Sequence, residues 1–283
     1  MPFGAETVIA NAPLAIDLTA HAVAGPSAVI WLAATAPVIA WAGLLWRLSG
    51  SGAARAGLLV LALIAGALLA AWPASQLNQA LLDWLAQVAG DASARRWVPD
   101  VAVPLVEEVA KAAVIALLVL LVPGSARSIG DGAVTGAAVG LGFTGAENVQ
   151  YLTLAAIQGG MAGLWRATYV RGGLGGLHHA TFAAFIGAGL AYARRAPTAR
   201  RRWVGAALGL LAAVAQHIAW NISGAKLLAD AVCGTAQPGV PCTTPPHPAA
   251  LFVTAPLVSL MTVGPALVVL RLLVRRLDRL RAP

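Results

Sequence analysis

Charge is what this sequence has least of. Only 11% of its residues are Asp, Glu, Lys or Arg, where a soluble globular domain carries about 25%. Together with 59% apolar residues, that shortage excludes an ordinary water-soluble domain. Basic residues outnumber acidic ones, for a net charge of +8, yet no basic patch interleaves with aromatics. Nucleic-acid binding is excluded on that ground. A basic n-region is lacking too. Met1–Ala20 includes Glu6, Asp17 and two prolines, so the expectation is that it is not a cleavable signal peptide. No period of about 20–50 residues recurs, and the one biased tract is the Pro-rich stretch Pro245–Pro248.

Cysteine is equally scarce, with Cys233 and Cys242 the only two. Two thiols without paired histidines make a weak zinc signal. Both fall in a loop that the topology below places outside, where their spacing suggests a disulfide closing a small loop.

What is present is apolar length. A helix needs about 20 mainly apolar residues to cross a bilayer, and seven segments meet that length: Ala24–Trp46, Gly57–Leu81, Pro99–Val122, Gly130–Ile157, Gly172–Ala193, Trp203–Leu228 and Ala249–Leu273. Lipid offers no partner to an unpaired backbone group, so each reads as a helix. The expected fold is all-α, a polytopic transmembrane bundle of about seven spans in the cell membrane. Alternate loops divide the arginines unequally. One side collects Arg47, Arg55, Arg127, Arg194, Arg195, Arg200, Arg201, Arg202 and the tail from Arg271 to Arg281, and the other Arg95, Arg96, Arg166 and Arg171. The richer side is cytoplasmic by the positive-inside rule, which puts the N-terminus outside and the C-terminus inside. The chain then divides into an extracytoplasmic segment (1–23), two helices and an outside loop (24–98), a four-helix core (99–228), an outside loop (229–248), and a last helix with a basic tail (249–283). Gly132, Gly136 and Gly140 share one face of the fourth segment and would let a neighbouring helix approach closely.

Against this background the ionisable residues inside the spans stand out. Each costs roughly 2.5–3.5 kcal/mol at the bilayer centre on insertion scales. Glu107, Glu108 and Lys111 lie in the third segment, Glu147 and Asn148 in the fourth, His178 and His179 in the fifth, and His217 and Asn221 in the sixth. In the expected topology the carboxylates and imidazoles fall roughly 10–17 Å below the outer boundary, at about 1.5 Å per residue. Four spans thus bring them to one layer, which reads as one cavity. Lys111 reaches either glutamate along one helix face and is expected to serve as a charge partner. Adjacent positions diverge by about 100°, so only one of Glu107 and Glu108 aims directly into a cavity, and periodicity does not say which. His178 reads as a packing or supporting residue.

Four stretches resemble the motifs of the PrsW intramembrane protease family. Glu107-Glu108-Val109-Ala110-Lys111 is similar to its Glu-Glu-x-x-Lys motif. Phe143 followed by Glu147-Asn148 and Tyr151 is similar to the second, His179-Ala180-Thr181-Phe182 to the third, and His217 with Asn221 to His-x-x-x-Asn. They occur in the family's order between Pro104 and Asn221. The resemblance extends to the type II CAAX-prenyl endopeptidases, whose second motif ends in His where this chain has Glu147. It implies cleavage of a membrane-anchored protein near the extracytoplasmic face, in some members an anti-sigma factor, with the lipid bilayer as setting. Glu107, Glu108, Glu147, His179, His217 and Asn221 are the expected catalytic residues, supported by Lys111 and Asn148.

Two mechanisms stay open at this stage. Without metal, Glu107 with Glu147 or Glu108 would hold and deprotonate a water, while His217 and Asn221 bind the oxyanion. With metal, Glu147, His179 and His217 would hold Zn²⁺ and Glu107 or Glu108 would be the base. A proton-coupled transporter or channel also gathers such residues at one depth, but it usually adds inverted repeats, which are not visible. A catalytically silent relative that binds a membrane partner is the other alternative.

Overall fold

A computed structural model describes residues 27–50, 52–90, 98–225, 227 and 249–279; Cys233 and Cys242, with their expected disulfide, lie outside the described residues. Among the described residues all regular structure is helical. Helix α1 spans Ala28–Leu48 and α2 spans Ala53–Ala65, continued through a π-helical turn, Gly66–Ala71, into α3, Trp72–Ala89. A second π turn, Val98–Ala102, leads into α4, Val103–Leu121. Helix α5 runs over Ile129–Ala167 with a non-helical Gly160 inside it, and a π turn at Thr168–Leu174 precedes α6, Gly176–Arg195. Helix α7 covers Ala199–Ala219 and ends in the π turn Trp220–Gly224. A last π turn, Ala250–Thr254, opens α8, Ala255–Arg279.

Among the described residues five stretches are long and apolar enough to cross a membrane: Ala28–Leu48, Ala53–Ala89, Gly159–Arg195, Ala199–Gly224 and Phe252–Arg279. The expected spans Pro99–Val122 and Gly130–Ile157 are helical but not among the five. Helix α4 carries Glu107, Glu108 and Lys111, and the first part of α5 is diluted by glycine and threonine beside Asp131 and Glu147. The charge-bearing faces of these two helices form the interior. Large apolar side chains such as Leu32, Leu68, Leu120, Trp203 and Met261 are instead exposed around the outside. That inverts the surface of a soluble protein and suits lipid contact.

The seams close on glycine. A Cβ on Gly136 would stand 2.1 Å from the Ala183 carbonyl oxygen, and one on Gly140 would stand 2.2 Å from that of His179. The glycine face of α5 therefore packs backbone to backbone on α6 and lays Gly140 beside His179. On another face of α5, Gly142 meets the Leu63 carbonyl in the same manner. Such approaches let dispersion contacts and not a hydrophobic force hold helices together in lipid. The start of α5 is fixed by a reciprocal cap. The Ser128 hydroxyl oxygen accepts from the Asp131 N–H (2.9 Å) and the Asp131 carboxylate from the Ser128 N–H (3.0 Å). Asp278 of α8 accepts from the Ile129 and Gly130 N–H groups at 2.9 and 3.3 Å, a carboxylate placed where the helix dipole is positive. Arg55 pairs with Asp131 at the same end.

Candidate active site

Helix α4 supplies Glu107, Glu108 and Lys111, all buried. Their side chains face the interior because α3, α5, α6 and α7 surround α4 and leave little of this face to lipid. The Lys111 ammonium lies 2.8 Å from Glu108 Oε1 and 3.7 Å from Glu107 Oε2, with the Phe143 ring of α5 beneath it at 3.8 Å. It also meets His179 Nδ1 at 2.8 Å. An ammonium has only donors, so in this contact Nδ1 accepts and a neutral imidazole carries its proton on Nε2. That nitrogen lies 3.0 Å from Glu147 Oε2. His179 thus bridges a cation and a carboxylate, holding α4, α5 and α6 in one register.

His217 completes the cluster from α7. Its Nδ1–H donates to Glu108 Oε1 at 2.9 Å, and Nε2 faces Glu107 Oε2 at 3.9 Å. The His179 and His217 rings are nearly perpendicular, their centroids 4.9 Å apart, and Phe182 stacks on His217 at 5.0 Å. The two adjacent glutamates therefore have different surroundings. Glu108 is engaged by Lys111 and His217, whereas Glu107 Oε1 accepts from Asn78 Nδ2 of α3 at 3.2 Å. Lys111 and His217 both meet Glu108 on Oε1, and among the described residues Glu107 Oε2 and Glu108 Oε2 are both buried without a hydrogen-bond partner.

Other expected residues lie around this centre. Glu147 Oε2 accepts from Arg171 Nη2 at 3.2 Å, and Asn148 Oδ1 from Arg171 Nε at 3.4 Å. The Arg171 guanidinium also lies over the Tyr151 ring at 3.4 Å. Asn148 is fully buried, with Nδ2 unpartnered among the described residues. Asn221 is not joined to His217. Its Nδ2 donates to the Pro99 carbonyl at 3.0 Å, tying the π turn after α7 to the π turn before α4. His178 points elsewhere, its Nδ1 on the Gly175 carbonyl at 3.1 Å, Nε2 on Thr262 Oγ1 at 3.0 Å, and its ring on Trp220.

Sequence reasoning passed over two side chains in this network, Asn78 and Arg171. The signal for Asn78 was an amide within an apolar run. Arg171 was counted only as a loop charge, although it lies one residue before a Gly-Gly pair at the head of a motif-bearing helix.

Residues 54–261 match the family described as PrsW family intramembrane metalloprotease. This chain belongs to the PrsW family. No curated protein and no solved structure matches it. The matched stretch of this PrsW chain runs from the start of α2 into α8 and contains every residue of the cluster.

The family description implies a metal, and the donors present fit one. Glu107, His179 and His217 each offer one ligand atom, all within 4.8 Å of one another. Two imidazole nitrogens and a carboxylate oxygen are the His₂Glu donor set of catalytic zinc sites. Donors around a four-coordinate zinc stand about 3.3 Å apart, so the set would close inward by roughly an ångström. Glu108 on His217 Nδ1 is the carboxylate contact that orients a ligating imidazole. The sequence reading named Glu147 as the carboxylate of this set; here Glu147 meets His179 Nε2 and Arg171. His179 uses both nitrogens, on Lys111 and Glu147, so it can serve a metal only by releasing one of them. Three carboxylates face two basic side chains, Lys111 and Arg171, and the residual negative charge is opposite in sign to that of a metal cation.

Proposed function

We propose that this PrsW-family chain is an endopeptidase that hydrolyses a peptide bond of a membrane-anchored protein near the extracytoplasmic face. The observation that carries this reading is the state of Glu107. Its Oε2, like Glu108 Oε2, is a buried carboxylate oxygen with no hydrogen-bond partner among the described residues, but Glu107 is the glutamate that groups with His179 and His217, its Oε2 3.7 Å from an ammonium and 3.9 Å from an imidazole nitrogen. An acceptor left free in a low-dielectric cluster is suited to take a proton from a water molecule.

Hydrolysis of an amide consumes one water. The base takes one of its protons, the oxygen bonds to the carbonyl carbon, and the proton passes to the departing amine nitrogen as the C–N bond breaks. Glu107 is the base and carrier of that proton in this reading. Glu108 and His217 hold one another by the 2.9 Å bond, which keeps His217 Nε2 toward the reacting water. Lys111 and Arg171 give the developing oxyanion a positive field in a water-poor site. Glu147 fixes the His179 tautomer, with Asn148 beside it on Arg171, and Asn221 fixes the approach to α4. A divalent ion held by Glu107, His179 and His217, zinc by its donors, would supply Lewis acidity toward the carbonyl and the water; proton acceptance would then fall to Glu147 or Glu108.

In this proposal the chain crosses the cell membrane seven times, α4 and the first part of α5 being the two spans that turn their charged faces inward. The N-terminus lies outside and the arginine-rich C-terminus is cytoplasmic, by the positive-inside rule. The substrate is a membrane-anchored protein, of the anti-sigma-factor kind by family resemblance.

The test uses the full chain in liposomes with reporters, each carrying the transmembrane helix and flanking segments of a single-span membrane protein from the same organism. The wild type is expected to cut at least one reporter at the outer end of its helix, and Glu107→Gln to cut none while accumulating normally. Cleavage by Glu107→Gln at the wild-type rate would refute the assignment.

A further inference from the structure

Helix α3 contributes little to the core, yet one of its few buried residues is polar. Only Ala74 and Asn78 are buried along it. They stand four residues apart and so share one face, which α3 turns toward α4. Leu77, Trp84 and Val88 are exposed, so packing gives no reason for an amide at position 78. An apolar side chain of the same size would fill the place at lower desolvation cost.

Among the described residues the Asn78 amide makes one hydrogen bond. Its Nδ2 donates to Glu107 Oε1 at 3.2 Å, while Oδ1 is buried with no partner among the described residues. The side chain is more than nine-tenths buried, so that orphaned oxygen costs stability. What the contact does to Glu107 is specific. It occupies Oε1 and holds the carboxylate so that Oε2 faces Lys111 and His217 at 3.7 and 3.9 Å. Without it, nothing among the described contacts opposes a small rotation that would close Glu107 onto the Lys111 ammonium. A glutamate locked in that ion pair is no longer a free acceptor.

We propose that Asn78 is a positioning residue for Glu107, an amide supplied from α3 that keeps the carboxylate apart from Lys111 and turned to the reacting water. Position 78 belongs to none of the four motifs. The inference rests on the protease reading above.

The experiment measures reporter cleavage and thermal unfolding of the full chain in liposomes for Asn78→Leu, Asn78→Asp and, as a control, Leu at the exposed Gln76. Asn78→Leu is expected to lower kcat by about 10- to 100-fold, the usual effect of losing a contact that orients a reacting group. KM should stay unchanged, and Tm should be unchanged or higher because a buried unpaired oxygen is removed. Asn78→Asp, which keeps the shape but replaces the donor with an acceptor, should lose at least as much turnover. Gln76→Leu should behave as wild type. Wild-type kcat in either Asn78 variant overturns the inference, as does a loss of kcat that appears only with a lowered Tm. If Glu107→Gln is inactive in the same preparation, the protease reading survives that failure. If Glu107→Gln cleaves, both fall together.

Discussion

Replacing Lys111 by Met tests whether the buried charges depend on one another. Lys111 is fully buried, 2.8 Å from Glu108 Oε1, 3.7 Å from Glu107 Oε2 and 3.8 Å from the Phe143 ring centre. Its removal leaves two neighbouring carboxylates with no cation between them. Breaking a buried ion pair by deleting one partner costs about 3–5 kcal/mol, so Lys111→Met should lower the unfolding free energy by about that amount. Glu108→Gln removes the other partner but leaves the ammonium beside Glu107, and a loss of about 1.5–3 kcal/mol is expected. The double variant should be more stable than the two losses added together, with a coupling of about 1–3 kcal/mol. Denaturant unfolding in mixed micelles, followed by the fluorescence of the chain's nine tryptophans, measures all four corners of the cycle. A Lys111→Met loss below about 0.5 kcal/mol, or strict additivity, would refute the reasoning.

Two further outcomes follow from the geometry. Purified wild-type protein should bind one divalent ion per chain, and Glu108→Gln should weaken that binding by about 10- to 100-fold because His217 Nδ1 loses its carboxylate; equal affinity by competition with a chelating dye would contradict this. Gly136→Leu should fail to accumulate as folded protein, since its Cβ alone would stand 2.1 Å from the Ala183 carbonyl oxygen. Wild-type yield and Tm would show that α5 and α6 do not meet there.

Much of the arrangement is legible in the sequence because lipid narrows the choices. Backbone groups must pair within the chain, so α1, α2, α7 and α8 follow from apolar length alone. Glu107, Glu108, Lys111, Glu147, His179 and His217 stand out because charge is costly where they lie. The same charges keep α4 from qualifying as a span by composition, so the feature that reveals the site obscures the count. Which glutamate takes which partner was not legible. Helical spacing sets the two about 100° apart, but the choice is made by His217 reaching Glu108 and Asn78 reaching Glu107. Those partners come from α7 and α3, and no motif links them. Asn221 shows the same limit. Its spacing from His217 suggested a shared donor face, whereas the π turn at Trp220–Gly224 carries its amide to the Pro99 carbonyl.

The central claim is that a water held at Glu107 cuts a peptide bond inside this buried cluster. Mass spectrometry of the reporter cleaved in oxygen-18 water tests it most directly. One labelled oxygen should enter the new C-terminal carboxylate, at a bond within the outer part of the reporter's helix, and none in the presence of Glu107→Gln. Unlabelled product, or label incorporated equally by Glu107→Gln, would contradict the account.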